Sequence, residues 1–224
     1  MKNDYPVHET FFSFQGEGAY MGRAAFFVRL SGCPLRCPWC DSADTWDGSA
    51  PRAGRISARE LAMQAWPTRA EFAVITGGEP TIHDLTALTT AIRGMGLPVH
   101  LETCGAFPLR GDFDWVTLSP KRAAAPLPQN LMRADEIKLI IETPADLVFW
   151  AEALQKKCVG SADVSGNVGL LGRSSLLRSP IVWLHPEWSH RSDPAVLSAI
   201  TRWVLGRGAP YRAGWQLHKC YGAE

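Results

Sequence analysis

The sequence has no apolar stretch approaching the roughly 18–20 residues of a membrane-spanning helix. It also has no run of Lys or Arg, and its net charge is only +1, which argues against a protein that clamps a nucleic-acid backbone. The N-terminal segment MKNDYPVHETF has no apolar core of the kind found in secretory signals. These absences predict a cytoplasmic protein with neither a membrane nor a nucleic acid as partner.

Internal repeats and linkers are also missing, so the 224 residues are expected to form a single domain, 1–224. A reducing cytoplasm disfavours disulfides, so the six cysteines are interpreted as metal ligands or core thiols. Three of them, Cys104, Cys158 and Cys220, are scattered, which is typical of small buried hydrophobic residues. The other three lie close together and indicate a metal site.

Short apolar runs alternate with amphipathic stretches, which predicts parallel strands joined by helical crossovers. The strands are expected at 24–30, 72–76, 99–101, 115–118, 137–141, 181–184 and 215–217. Four helix starts are indicated by capping residues: Ser57 with Glu60, Asp84, Thr143 before Pro144, and Asp193 before Pro194.

Four helices for six or seven strands are too few for a complete eight-fold barrel. The fold class is therefore predicted as α/β, a partial, open β/α barrel with six or more largely parallel strands. Segment 158–180 is rich in Gly and Ser and shows no periodicity, so it is interpreted as a lid, an insertion or a disordered stretch.

Polar or Gly-rich residues follow nearly every predicted strand. In a parallel barrel these positions gather at the carboxyl ends of the strands, where such enzymes keep their sites. The alternative is that polar residues only mark where strands reach the surface. The pattern favours a shared site, and it includes the segments 31–33, 77–80, 102–103, 119–121, 185–187 and 218–219.

The clustered cysteines are Cys33, Cys37 and Cys40, spaced C-x3-C-x2-C within the segment 31–47. Iron–sulfur clusters are usually held by four cysteine thiolates, so three ligands without a fourth would leave one iron open for chemistry. Structural zinc commonly needs four Cys or His ligands, and no His lies near this trio. The spacing favours an open-cornered [4Fe–4S] cluster, with zinc as the alternative.

This trio, with the aromatic Trp39 just before the last cysteine, resembles the radical S-adenosylmethionine (radical SAM) superfamily. The resemblance implies that the open iron binds SAM and that one electron releases a 5′-deoxyadenosyl radical. No catalytic residue is then needed beyond the cluster and that radical. By the same resemblance, the SAM-binding residues are Gly77, Gly78, Glu79, Glu102, Ser119, Lys121 and His185.

Three features narrow the substrate: the segment 9–18 with its Gln-Gly-Glu-Gly, Arg29 within an apolar strand, and the C-terminal segment 216–224. Arg29 is costly to bury without an anionic partner, unless it lies on an edge strand in water. Together these features resemble the 7-carboxy-7-deazaguanine synthases of queuosine and 7-deazapurine biosynthesis. The implied substrate-binding residues are Gln15, Glu17, Arg29, His218 and Glu224.

The resemblance implies ring contraction of 6-carboxy-5,6,7,8-tetrahydropterin, with loss of ammonia and with SAM used catalytically. It also implies Mg²⁺ bound by one protein hydroxyl, here Ser42 where the family has Thr. His185 is a second departure, standing where the family commonly has Gln. A homodimer and a flavodoxin-like electron donor are further implied. The alternatives are a small radical SAM activase of glycyl-radical enzymes and, outside enzymes, a zinc-binding module.

Overall fold

The computed structural model describes residues 4–158 and 179–223, with no side chains for 155–158. Its strands form one nine-stranded sheet in the order β3-β1-β2-β4-β5-β6-β7-β8-β9. Neighbours from β2 to β9 pair in parallel, whereas β1 pairs antiparallel with β2 and β3. The strands are β1 (Asp4–Phe14), β2 (Ala24–Leu30), β3 (Arg55–Ser57), β4 (Phe72–Gly77), β5 (Val99–Thr103), β6 (Trp115–Leu118), β7 (Glu136–Ile141), β8 (Ile181–Pro186) and β9 (Tyr211–Ala213).

Six α-helices accompany the sheet within the described ranges, which confirms the predicted partial, open barrel with few helices. Ser57 and Glu60 form the predicted capping box, and two further helices begin at the predicted Pro144 and Pro194. The helices are α1 (Ala58–Ala65), α2 (Thr86–Gly94), α3 (Pro128–Arg133), α4 (Pro144–Cys158), α5 (Pro194–Arg207) and α6 (Leu217–Tyr221).

The predicted strand at 215–217 is wrong. The last strand, β9, lies at Tyr211–Ala213 and pairs with β8, and Leu217 begins α6 instead. The apolar alternation of 215–217 imitates a strand, but the Leu217 amide donates to the Gly16 carbonyl at 2.9 Å and turns the chain across the barrel. Strands β1 and β3 and helices α3 and α6 are not predicted from the sequence.

Side-chain alternation gives the barrel an apolar base and a polar top. On one face of β2 and β4, Phe26 and Ile75 join the large core beneath the helices. On the other face, Phe27 and Val74 belong to a smaller cluster inside the barrel. Arg29 and Thr76 follow on this inner face, toward the carboxyl ends of the strands. Inside the barrel, polar side chains therefore lie at the carboxyl ends of the strands, next to a packed apolar cluster.

No helix in the described part of the chain is long and apolar enough to cross a membrane. The predicted lid or insertion at 158–180 lies almost wholly outside the described residues, as does Glu224.

Candidate active site

A cavity of about 400 Å³ opens at the polar top of the barrel. Its walls are formed by the loop 31–47 that carries the three clustered cysteines (the cysteine loop), by strand ends from both halves of the sheet and by the C-terminal helix α6. Fourteen of the sequence-predicted site residues line it: Gln15, Glu17, Arg29, Cys33, Cys37, Cys40, Ser42, Gly77, Gly78, Glu79, Glu102, Ser119, Lys121 and His218. His185 does not line it, and Glu224 lies outside the described residues.

The cysteine loop packs directly on the Gly-Gly segment after β4. Gly77 has φ +142°, and a Cβ there would overlap the backbone of Leu30. A Cβ on Gly78 would overlap the Gly32 carbonyl and the Cys33 side chain. Only glycine permits this approach, which brings backbone N–H and C=O groups beside the thiols.

The donor set of the loop suits an iron–sulfur cluster. Cys33, Cys37 and Cys40 are free thiols, partly exposed, and all three face the same cavity. Thiolates are the usual ligands of such clusters. Among the described residues, no group of three or more Cys, His, Asp or Glu side chains has an arrangement that could hold a single metal ion.

Glu79 has its carboxylate almost fully occupied by the protein itself. One oxygen accepts from the Thr81 amide at 3.0 Å and from the hydroxyls of Thr81 and Thr103, each at 2.5 Å. The other oxygen accepts from the Cys104 amide at 2.8 Å. With 2% of its surface exposed, Glu79 holds the turn after β4 against the end of β5.

Ser119 and Lys121 form a pair beside the cysteine loop. Lys121 Nζ donates to Ser119 Oγ at 2.6 Å and lies 5.1 Å from the centre of the Trp39 ring. Burial lowers the pKa of Lys121, and the ammonium of Lys138 lowers it further. The pair thus presents a cation and a hydroxyl at the rim.

Glu102 connects the two sides of the cavity. Its carboxylate accepts hydrogen bonds from the side-chain Nε2 of Gln15 at 2.9 Å and from the Thr76 hydroxyl at 3.1 Å. The Gln15 side-chain oxygen in turn accepts from the Glu17 amide at 3.1 Å. Glu102 therefore sets the orientation of the Gln15 amide group.

Glu17 is buried, and its carboxylate pairs with the Lys138 ammonium through Oε2. Burial alone would raise the pKa of Glu17, but Lys138 and the neighbouring His185 hold it at about 2. Burial lowers the pKa of Lys138, but Glu17, Glu102 and Asp41 together raise it above its usual value. Glu17 Oε1 is buried and has no hydrogen-bond donor among the described residues, although the Gln216 side chain lies close by.

Arg29 lies on the opposite wall. Its Nε donates to Glu9 at 2.8 Å, and its Nη1 donates to Ser42 Oγ at 3.3 Å. Strand β2 lies between β1 and β4, so the edge-strand alternative for Arg29 is wrong. Glu9 supplies the anionic partner that burial requires.

The C-terminal segment closes one side of the cavity. His218 packs on Gly16, where a Cβ would overlap its imidazole, and burial lowers the pKa of His218. His185 is completely buried against Gly214, and neither ring nitrogen has a hydrogen-bond partner among the described residues. Burial lowers the pKa of His185 to about 4.

Sequence reasoning missed the cavity residues Lys138 and Thr76, and it missed Glu9, the partner of the cavity residue Arg29. Lys138 lies in the apolar run of β7, where a lone cation is the same signal that singled out Arg29 in β2. In the sequence, Thr76 stands out only as a strand end and Glu9 only as the start of a segment. Their roles depend on which strands become neighbours.

No protein-family model matches the chain. It is 48% identical to a 7-carboxy-7-deazaguanine synthase of Synechocystis over 153 residues, which are 68% of this chain and 72% of that protein. It is 33% identical to the synthase of that name from Prochlorococcus marinus over 232 aligned residues, covering 99% of both chains. The crystal structure of QueE from Escherichia coli matches with a TM-score of 0.74 and 29% identity, covering 96% of this chain and 95% of that one.

Proposed function

The chain belongs to the 7-carboxy-7-deazaguanine synthases, and from this premise we propose how its residues serve the reaction. It is a radical SAM lyase of queuosine biosynthesis that contracts the ring of 6-carboxy-5,6,7,8-tetrahydropterin. The observation that carries this conclusion is the 33% identity that extends over 99% of the chain. Neither the activase nor the zinc-binding module accounts for relatives of that name along the whole length.

Cys33, Cys37 and Cys40 hold a [4Fe–4S] cluster in the proposed enzyme. When bound, the cluster and SAM supply the 5′-deoxyadenosyl radical that takes the C6 hydrogen of the pterin. Gly77 and Gly78 let the backbone approach the methionine end of SAM, and Glu79 keeps that turn in place. Glu102, Ser119 and Lys121 offer polar groups on the same side of the cavity.

The pterin is held from the opposite side. Glu17 and Gln15 face it with a carboxylate and an oriented amide, and His218 adds an imidazole. A carboxylate suits the paired N–H donors of an aminopyrimidinone. Arg29 binds the substrate carboxylate through guanidinium N–H groups that Glu9 does not use. The carboxyl-terminal Glu224 is proposed as a further contact, because the preceding Ala223 lines the cavity.

Mg²⁺ is proposed to bind Ser42 together with substrate oxygens and waters. Mg²⁺ prefers oxygen ligands and keeps several waters, so one hydroxyl suffices as the protein's share. Ser42 Oγ lies 3.3 Å from Arg29 Nη1, beside the proposed carboxylate site. A SAM contact from His185 would require its ring to reach a cavity that it does not line.

We further propose a homodimer that receives electrons from a flavodoxin-like protein. Both proposals rest on the family resemblance. Sedimentation of the purified enzyme tests the first, and reduction by flavodoxin in place of a chemical reductant tests the second.

A reconstituted turnover assay tests the function. Anaerobically prepared enzyme should form 7-carboxy-7-deazaguanine only with reductant, SAM and carboxytetrahydropterin together, and Mg²⁺ should increase the rate. A Cys37→Ser variant is the control, because loss of one cluster ligand should abolish turnover. Wild-type enzyme with an intact cluster that leaves the pterin unchanged would reject the proposed function, and glycyl-radical formation on a partner protein would favour the activase.

A further inference from the structure

We propose that Lys138 is a positioning residue for substrate recognition: its ammonium holds Glu17 through Oε2 so that Oε1 faces the substrate as a charged acceptor. This inference rests on the proposed function and deepens it. It assigns to the pair Lys138 and Glu17 the preference for a ligand that presents adjacent N–H donors. Lys138 acts on the substrate indirectly: it orients the Glu17 carboxylate and keeps it charged.

The first support is the way the Glu17 loop is anchored. Lys138 and Glu136 lie two residues apart in β7, so both point into the barrel. Glu136 accepts from the Ala19 amide at 2.9 Å, and it also accepts from Thr117 and Trp183 at 2.8 Å each. Gly18 packs against this carboxylate. Strand β7 therefore holds the loop on one side of Glu17 with Glu136 and holds the Glu17 carboxylate itself with Lys138.

The second support is the unequal use of the two carboxylate oxygens. Glu17 lines the cavity; its Oε2 receives Lys138, whereas its Oε1 is buried without a well-placed hydrogen-bond donor among the described residues, the Gln216 side chain lying close by. A buried acceptor without a donor is costly, and a bound N–H group removes that cost. A ligand with two adjacent N–H donors would satisfy it, and a ligand with an acceptor at that position would be repelled.

The third support is that the other cations of the cavity are engaged elsewhere. Lys121 donates to Ser119, Arg29 to Glu9, and Lys219 to Asp41 at 3.0 Å. In the part of the chain that the structure describes, Lys138 is the cation that contacts Glu17. The Glu17 carboxylate therefore depends mainly on Lys138 for its charge and orientation, with smaller contributions from His185 and Gln216.

Removal of that ammonium has a consequence that simple misfolding would not produce. Burial raises the pKa of Glu17 and Lys138 offsets this, so Glu17 in a Lys138→Met variant should bind a proton more readily. The other titratable groups that face this pair are His185 of β8, His218 of α6, Glu102 of β5, Asp41 of the cysteine loop and Lys121 after β6. Because Lys138 also lowers the pKa of His185, His218, Lys121 and Asp41, the pH profile of Glu17→Gln is needed to separate their titration from that of Glu17.

The test compares wild-type enzyme, Lys138→Met and Lys138→Arg, each with its cluster and SAM. Equilibrium binding of carboxytetrahydropterin and of SAM is measured across pH. Lys138→Met should weaken pterin binding by about ten- to a hundredfold near neutral pH, as expected when a hydrogen bond to a charged group is lost. The loss should diminish as pH rises and Glu17 ionises, SAM binding should change little, and Lys138→Arg should retain part of the affinity.

Arg93→Met is the matched control, because it removes an ion pair to Asp114 far from the cavity and should leave pterin affinity unchanged. If Lys138→Met does not fold, Glu17→Gln and the double variant replace it, and the second substitution should then add little to the first. Equal loss of pterin and SAM binding, or an unchanged pterin affinity at every pH, would overturn the inference alone. A wild-type enzyme that binds no pterin would reject the proposed function itself.

Discussion

Two ion pairs contribute side chains to the cavity, and they differ in how far water reaches them. Arg29 and Glu9 join strands β2 and β1 at 2.8 Å, with 22% and 30% of their side chains exposed. Lys138 and Glu17 join β7 to the loop after β1, with 17% and 9% exposed. The more exposed pair is screened more by water and should contribute less, whereas breaking the more buried pair leaves an uncompensated charge. We therefore expect the Arg29–Glu9 pair to serve mainly ligand binding, and the Lys138–Glu17 pair to serve both ligand binding and the stability of the fold.

Removal of Glu17 should have the largest effect on stability. Glu17→Ala leaves the Lys138 ammonium without its partner, and the free energy of unfolding of the apoprotein should fall by about 3 kcal/mol. Denaturant unfolding measures this, and Glu17→Ala/Lys138→Met is the control that should recover part of the loss. If Glu17→Ala costs no more than Glu9→Ala, the two pairs do not differ as described.

Removal of Arg29 should act on the ligand more than on the fold. Arg29→Ala should weaken carboxytetrahydropterin binding roughly tenfold or more, because a charged hydrogen bond is lost, and should leave SAM binding intact. Tetrahydropterin without the carboxylate is the control ligand, and its affinity should be the same for both proteins. Equal weakening of SAM and pterin in a titration would assign Arg29 a structural role instead.

His185 is fully buried, as the Lys138–Glu17 pair nearly is, and it should make the free energy of unfolding depend on pH. Its folded-state pKa of about 4 lies below the unfolded value, so the unfolded state binds more protons between about pH 4 and 6.5. Stability should thus fall as pH drops through this window, by about 2 kcal/mol from pH 7 to pH 5 for this residue. Burial also lowers the pKa of His100 to about 4, which adds to the same trend.

His185→Gln should make the pH dependence of the free energy of unfolding shallower, and the partly exposed His190 is the control position. Unfolding of the apoprotein at several pH values measures this. A profile that His185→Gln leaves as steep as the wild type would contradict the role of buried His185.

Replacement of Glu9 should have the smallest effect. Glu9→Gln keeps a hydrogen-bond acceptor for Arg29 in a partly exposed site, so stability should change by less than about 1 kcal/mol. High salt should make wild type and variant still more alike, since salt screens exposed charges. A loss as large as that of Glu17→Ala would show that exposure does not distinguish the two walls.

Local patterns predicted much of the fold because their causes are local. The Ser57–Glu60 capping box and the Pro144 and Pro194 helix starts depend on a few adjacent residues. The predicted strand at 215–217 failed for the opposite reason. Its alternation suits a strand, but the contact of Leu217 with Gly16, about 200 residues away, determines that a helix begins there.

The site divides in the same way. The chemical types of its residues can be read in order along the chain: three closely spaced thiols, a Gly-Gly-Glu-Pro turn, a Gln-Gly-Glu-Gly loop and a lone Arg in an apolar strand. The pairing of Arg29 with Glu9 needed the antiparallel register of β1 on β2. The burial of His185 likewise depends on the neighbouring strand β9, which leads into Gly214 against the imidazole.

The amino-acid sequence alone determined the class of chemistry, because thiol spacing and strand-end motifs are set by covalent proximity. It also determined that the sheet would be mostly parallel, because apolar runs alternate with helix starts. Only the tertiary structure decided that Glu17 meets Lys138, 121 residues away, and that its other carboxylate oxygen is buried without a hydrogen-bond donor among the described residues. The physical reason is that burial and charge pairing depend on which surfaces come together, and no single segment contains that information.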